Sequence, residues 1–156
     1  MSESDTRRVV DALYTAFLAG DGEGMIAQMH EDVEVRFLGQ VQLRGIPAMR
    51  RFMAFAGGLL TDVDFRIERV IVDGEVACGV WSETATTADG KPWENHGVDV
   101  VRVRDGKIVS LHENNDVNLV FEHFPSYVDE GSGTQCGNGK KSRQGVAMWR
   151  DAGEGE

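Results

Sequence analysis

The chain has 156 residues, a formal net charge of −10 and 41% hydrophobic residues, which suits one globular domain with its own core and leaves no room for two of ordinary size. The acidity argues against a nucleic-acid partner, because phosphates need Lys and Arg to displace their counterions. It argues equally against anionic membrane surfaces, which attract basic segments.

No apolar run approaches the roughly 20 residues needed to span a bilayer. The start, Met1-Ser2-Glu3-Ser4-Asp5, has neither the basic beginning nor the apolar stretch of a signal peptide, so the expected compartment is the cytoplasm. Cys78 and Cys136 lack the spacing of metal ligands and are too few for a disulfide scaffold. No metal and no cofactor is expected.

In chain order, Val9, Val10, Leu13, Phe17 and Leu18 recur at three and four residues, the pattern of an amphipathic helix. Ser4 or Asp5 can cap its start, and Ala19-Gly20-Asp21-Gly22 ends it. A short second helix is predicted through Met25, Ile26 and Met29. Val33, Val35 and Phe37 alternate with charged residues and predict a strand. Gly45-Ile46-Pro47 opens a third helix, with Pro in the first turn where its missing N–H is not needed. That helix carries Met49, Phe52, Met53 and Phe55 and stops at Gly57-Gly58.

From Val63 the period changes to two. Strands are predicted from there to Asp73-Gly74, over residues 76–86, over 94–103 after Asp89-Gly90, and over 108–117 after Asp105-Gly106. Asp-Gly between alternating apolar residues is a strong hairpin signal, and three in succession predict an antiparallel meander. Helices first and strands after give an α+β layer arrangement with three helices on one face of the sheet. The expected domain covers residues 5–125. The Gly-rich stretch over 126–156 reads as a flexible extension, in which Val146, Met148 and Trp149 are the residues that could dock.

Several segments, taken in order, carry a family resemblance: Ala19-Gly20-Asp21, Met25-Ile26-Ala27, Asp32-Val33-Glu34-Val35, Gly45 before the third helix, and the run from Val98 to Asp105-Gly106-Lys107-Ile108. Over about residues 5 to 124 the chain resembles the nuclear transport factor 2-like superfamily, in its SnoaL-like and ketosteroid-isomerase-like branch. The resemblance implies a cone-shaped α+β barrel, a curved mixed or antiparallel sheet wrapped round the N-terminal helix. It also implies a mostly apolar cavity inside the curve and a homodimer formed through the outer sheet face.

The family's working groups lie on the inner face, so strand parity selects candidates. If Asp99 points inward, so do Gly97 and Val101, while His96 and Val98 point away. A three-residue loop at Arg104-Asp105-Gly106 would put Val109, Leu111, Glu113 and Asn115 on the face of Asp99. A two-residue loop would bring in Ser110, His112 and Asn114 instead, since one slip exchanges the faces. The resemblance favours the first register. Asp99 and Glu113 would then share a poorly hydrated site where both cannot ionise freely, and one pKa should rise. One neutral carboxyl beside one carboxylate is what paired acid and base work needs. The plainer alternative is that each binds a buried polar group or faces solvent.

Measured against relatives, Asp99 matches the protonated aspartate of ketosteroid isomerases, but their tyrosine falls on Leu13 and their general base on Phe37. In limonene-epoxide-hydrolase-like enzymes the two acids match Asp99 and Glu113. There the arginine position is Gly97, and the groups that hold water fall near Val35 and Phe37. SnoaL-like polyketide cyclases need an acid/base on the last strand, which Glu113 could supply. Candidate cavity walls are Val35, Phe37, Met49, Phe52, Met53, Val101, Leu111 and Phe121; Met and Phe at helical spacing are equally the mark of plain core. Tyr14 is also a candidate substrate-binding residue; it lies one residue, about 100° of rotation, from the isomerase tyrosine position, and its plainer reading is a surface or rim tyrosine. His112 is the alternative polar group. His30 reads as a charge partner for a helix end, and His96 and His123 as exterior. Trp81 and Trp93 read as outer-face residues, with the cavity mouth as an alternative for Trp93.

The expectation is an enzyme doing carboxylate acid/base chemistry on a small, largely apolar organic molecule. Epoxide hydration, isomerisation, dehydration and cyclisation all fit. A non-catalytic module that binds a hydrophobic ligand and a dimerisation domain are the other two readings.

Overall fold

In the computed structural model, which describes residues 2–38 and 40–127, the first helix α1 (Glu3–Leu18) is capped one turn earlier than expected. Ser2, not Ser4 or Asp5, is the N-cap, and its hydroxyl and the Asp5 carboxylate satisfy each other's backbone N–H groups. The apolar stripe of α1 buries Val9, Val10 and Leu13 almost completely. Gly20, at φ 65, turns the chain out of the helix. Asp21 then caps α2 (Gly22–Ala27) by accepting from the Gly24 N–H.

Met29 starts β1 (Met29–Phe37) rather than lying in the second helix. β1 folds back on β2 (Val41–Arg44), a strand with only two apolar positions and too short for periodicity to reveal. α3 (Ile46–Ala56) follows with Pro in its first turn. Then come β3 (Leu60–Asp73), β4 (Val76–Thr87), β5 (Pro92–Arg104) and β6 (Lys107–Asn115). Among the described residues there are four helices, not three. β6 stops at Asn115 because Asp116 accepts from the N–H groups of Asn118 and Leu119 and caps α4 (Val117–His123).

The six strands form one open, curved, mixed sheet in the order β2-β1-β6-β5-β4-β3. β3 to β6 are the expected antiparallel meander, and β1 joins its end by pairing parallel with β6. Fully buried Val35, Val101, Val103 and Ile108 meet Val9, Val10 and Leu13 of α1, so the core fills the space between helix and concave face. No helix among the described residues is long and apolar enough to cross a membrane. The extension proposed to begin at residue 126 lies, from 128 onward, outside the described residues; Tyr127 itself is buried against the core.

The β5–β6 hairpin reaches the favoured register by an unexpected route. Arg104 pairs with Lys107, leaving a two-residue loop in which Asp105 (φ 50) and Gly106 (φ 74) are both left-handed, as a type I′ turn requires. Unaided, that loop would have turned His112 and Asn114 inward. The register shifts, however, between Arg102↔Ser110 and Val103↔Ile108, so β6 has one extra residue, Val109, at a bulge. Ile108, not Val109, is the buried residue next to the turn. Beyond the bulge Asp99 stands opposite Glu113 and Val100 opposite His112, which puts His112 on the other face.

Candidate active site

Three neighbouring strands supply the polar floor of a cavity of about 150 Å3. From β4 come Trp81 and Glu83, from β5 Trp93, Asn95 and Asp99, and from β6 Glu113 and Asn115; α1 and α3 close the space opposite, and residues of and beyond α4 complete one side. The volume is below the several hundred Å3 usual for drug-sized ligands and suits a molecule of one ring. Phe37, Met49, Phe52, Met53 and Leu111 are in the wall as expected.

Asp99 is 7% exposed, yet both of its oxygens are engaged. The Tyr14 hydroxyl donates to Oδ2 at 2.9 Å and the Trp81 Nε1–H donates to Oδ1 at 3.1 Å. Burial pushes its carboxyl up to about 6, and these two hydrogen bonds hold it down against that trend. Burial and the Asp99 charge push the Tyr14 phenol far above its ordinary range, so it stays a donor.

Two glycines make this arrangement possible. Gly79 of β4 stands directly opposite Asp99 across the β4–β5 ladder, and a Cβ there would run into the Tyr14 hydroxyl. A Cβ on Gly97 would lie 2.5 Å from Trp81 Cζ2 and 2.5 Å from the Asn114 carbonyl oxygen. Bare backbone at these positions lets a tyrosine and a tryptophan reach one carboxylate.

Glu113 lies opposite Asp99 on one side and Phe37 on the other. Asn115 Nδ2 donates to its Oε1 at 3.1 Å. Burial first, then the charges of Asp99 and Glu83, push the Glu113 carboxyl well above the usual range, and the residue lines the cavity. Asn115 Oδ1 is buried with no hydrogen-bond partner among the described residues, which is rare for a buried polar atom.

Sequence parity missed a third carboxyl. Glu83 accepts from the Trp93 Nε1–H at 2.6 Å, and burial pushes it up while that bond pulls it down. Alternation along β4 carried the signal, since Glu83 shares a face with Gly79, which pairs with Asp99. Trp81 and Trp93 therefore line the cavity and do not form an outer face. Tyr14 is 6% exposed and is a cavity residue, not a rim residue. Val35 and Val101 are buried on the inner side but belong to solid core away from the cavity wall. Phe121 is rotated out of the wall, where Val120 and Phe124 stand instead, because this segment is helical. His123 is half-buried and packs edge-on to Trp93 at 5.4 Å. Among the described residues, no three of His, Cys, Asp and Glu cluster closely enough to hold a metal ion.

Residues 10–111 match the family model described as the SnoaL-like domain. The chain belongs to the SnoaL-like family. No curated protein matches it, but solved structures share its fold. A nuclear transport factor 2-like protein of unknown function from Burkholderia pseudomallei K96243 superposes with a TM-score of 0.71 at 19% identity, over 79% of this chain and 98% of that one. A candidate polyketide cyclase from Xanthomonas campestris pv. campestris gives 0.67 at 19% identity, over 78% and 98%. A candidate SnoaL-like polyketide cyclase from Jannaschia sp. CCS1 gives 0.65 at 16%, over 77% and 91%. At such identities the likeness is one of fold.

Within this SnoaL-like chain Tyr14, not its neighbour Leu13, reaches Asp99. Phe37, opposite Glu113, is stacked on Phe52 at 4.0 Å between ring centroids.

Proposed function

We propose that the cavity catalyses proton transfer within a small carbonyl compound, as in isomerisation or ring closure, with Asp99 as base and Glu113 as acid. The observation that carries this reading is the unequal support of two carboxyls set directly opposite each other. Asp99 accepts from two donors, Tyr14 and Trp81. Glu113 accepts from one amide and feels two other carboxyls. Opposed groups in an apolar site hold one proton between them, and it belongs to the pair; the hydrogen bonds bias the charge to Asp99 and the proton to Glu113. A carboxylate can then take a proton from carbon next to the carbonyl while a carboxyl returns one to another atom of the same molecule, with no net change in the protein's charge. Such positioned transfers contribute about 10²- to 10⁴-fold each.

The candidate cyclases among the structural relatives make ring closure a natural form of this chemistry. Epoxide hydration is less well supported, because Gly97 occupies the arginine position and the Trp81 ring fills the space above it. The test is solvent deuterium incorporation into a panel of small enolisable ketones and enones, followed by NMR. Exchange is expected in the native protein, with losses of about 100-fold or more in Asp99→Asn and Glu113→Gln. No exchange above buffer, or exchange unchanged in both variants, removes the proposal.

A further inference from the structure

We infer that the small carbonyl compound taken by this cavity also carries a protonated amine on its apolar body, with Glu83 as the carboxylate partner of that nitrogen. The inference takes the same cavity as the working site, but it does not require proton transfer there.

The charge of the cavity is of one sign. Glu83, Asp99 and Glu113 line it from three adjacent strands, and among the described residues no Lys, Arg or His does. The hydrogen-bond partners of these carboxyls are Tyr14, Trp81, Trp93 and Asn115, all uncharged donors that orient a carboxylate without cancelling it. Buried charge calls for a counter-charge, and none of the described residues provides one at this site. A metal ion is not the answer, since the three do not cluster as ligands. The walls include the indoles of Trp81 and Trp93, the ring type that attracts ammonium groups most strongly.

An unsatisfied atom points the same way. Asn115 Oδ1, on the side chain that binds Glu113, is a buried acceptor without a donor among the described residues, and a primary ammonium brings three N–H donors. Glu83 is the charged carboxyl with an oxygen to spare, since Glu113, also bonded through one oxygen, is the group assigned the proton. Asp99 has both oxygens engaged, whereas Trp93 holds only Oε1 of Glu83. The titratable groups facing Glu83 across the cavity are Tyr14 of α1, Asp99 of β5, Glu113 of β6 and Tyr127 beyond α4; α2, α3, α4, β1 and β3 contribute apolar side chains only.

The test is calorimetric titration with benzylamine, benzyl alcohol and benzoate, whose ring suits a cavity of 150 Å3. At neutral pH benzylamine should bind about tenfold or more tightly than benzyl alcohol, and benzoate should not bind. The amine's affinity should rise with pH across the acid range, as Glu83 gives up its proton, while the alcohol's stays level. Glu83→Gln, which keeps an acceptor for Trp93, should abolish the preference and retain alcohol binding; Glu83→Asp should keep the preference. Equal or better binding of the alcohol by the native protein, or no binding of the amine at millimolar concentration, overturns the inference whether or not the variants fold. So does a preference that survives in folded Glu83→Gln. The neutral ketones of the exchange assay probe Asp99 and Glu113 independently, so either idea can fail alone.

Discussion

Asp99 and Glu113 face each other across the β5–β6 ladder, and Asp99 has two hydrogen-bond donors where Glu113 has one. The asymmetry gives the pair a direction. A base at Asp99 works only once deprotonated, so proton-exchange activity should rise with pH through about 6. It should decline at higher pH, when Glu113 loses the proton it is held to keep. A bell-shaped profile from a pH series of deuterium incorporation is the expected result; a rate that falls through pH 6 would reverse the assigned roles.

Stability should respond to the same groups. Folding raises Asp99 from an ordinary 3.8 to about 6, so the folded state binds the proton more tightly than the unfolded chain. The contribution is fully present below about 4 and is lost as pH rises through about 6. Glu113 acts in the same direction at higher pH. Thermal melts of the native protein should therefore lose several degrees between these limits, and Asp99→Asn should flatten that part of the curve.

Removing the tyrosine hydroxyl should shift the base. Tyr14→Phe leaves the ring in place and takes away a donor that favours charged Asp99. Hydrogen bonds to charged groups are worth about 1.5–3 kcal/mol, so the Asp99 carboxyl should titrate about 1–2 pH units higher. Carbon-13 NMR of the carboxyl checks this directly, and the acid limb of the activity profile should move with it.

Gly79→Ala tests the bare backbone beside Asp99. The added methyl would occupy the place of the Tyr14 hydroxyl, so the variant should reproduce the Tyr14→Phe shift and add a packing cost of about 1–3 kcal/mol. Chemical denaturation measures the second effect. A Gly79→Ala protein with native stability and an unshifted Asp99 would contradict the geometry.

The cap of α4 links fold to cavity. Asp116→Ala removes the acceptor for the Asn118 and Leu119 N–H groups and should cost about 1 kcal/mol. The loss should appear as faster amide exchange confined to α4 and the residues through Tyr127, with the meander unaffected.

Much of the scaffold was legible in the residue pattern. Three Asp-Gly turns announced the meander, but alternation left Glu113 and His112 as alternatives; the resemblance favoured Glu113, and a bulge at Val109, not the expected three-residue loop, sets it opposite Asp99. What escaped notice had physical causes. β2 is too short to show a period, and Asp116 could be read as the end of a strand until its side chain was seen to cap a helix. Along β4, one face holds Gly79, Trp81 and Glu83 and the other Cys78, Val80 and Ser82, so neither face is plainly apolar and hydrophobicity could not choose the inner one. Tyr14 is four residues after Val10, on the buried stripe of α1; its 100° offset from the isomerase tyrosine position suggested the rim, and only the location of Asp99 shows why it turns inward.

The extra residue at Val109 decides which side chains of β6 reach the interior. A strand that kept Val109 but paired without the bulge would withdraw Glu113 and Asn115 and present His112 and Asn114 in their place. Deleting Val109 would instead smooth the ladder and leave Glu113 opposite Asp99. A local irregularity near the turn, and not the polar residues themselves, thus chooses between a carboxyl and an imidazole beside Asp99.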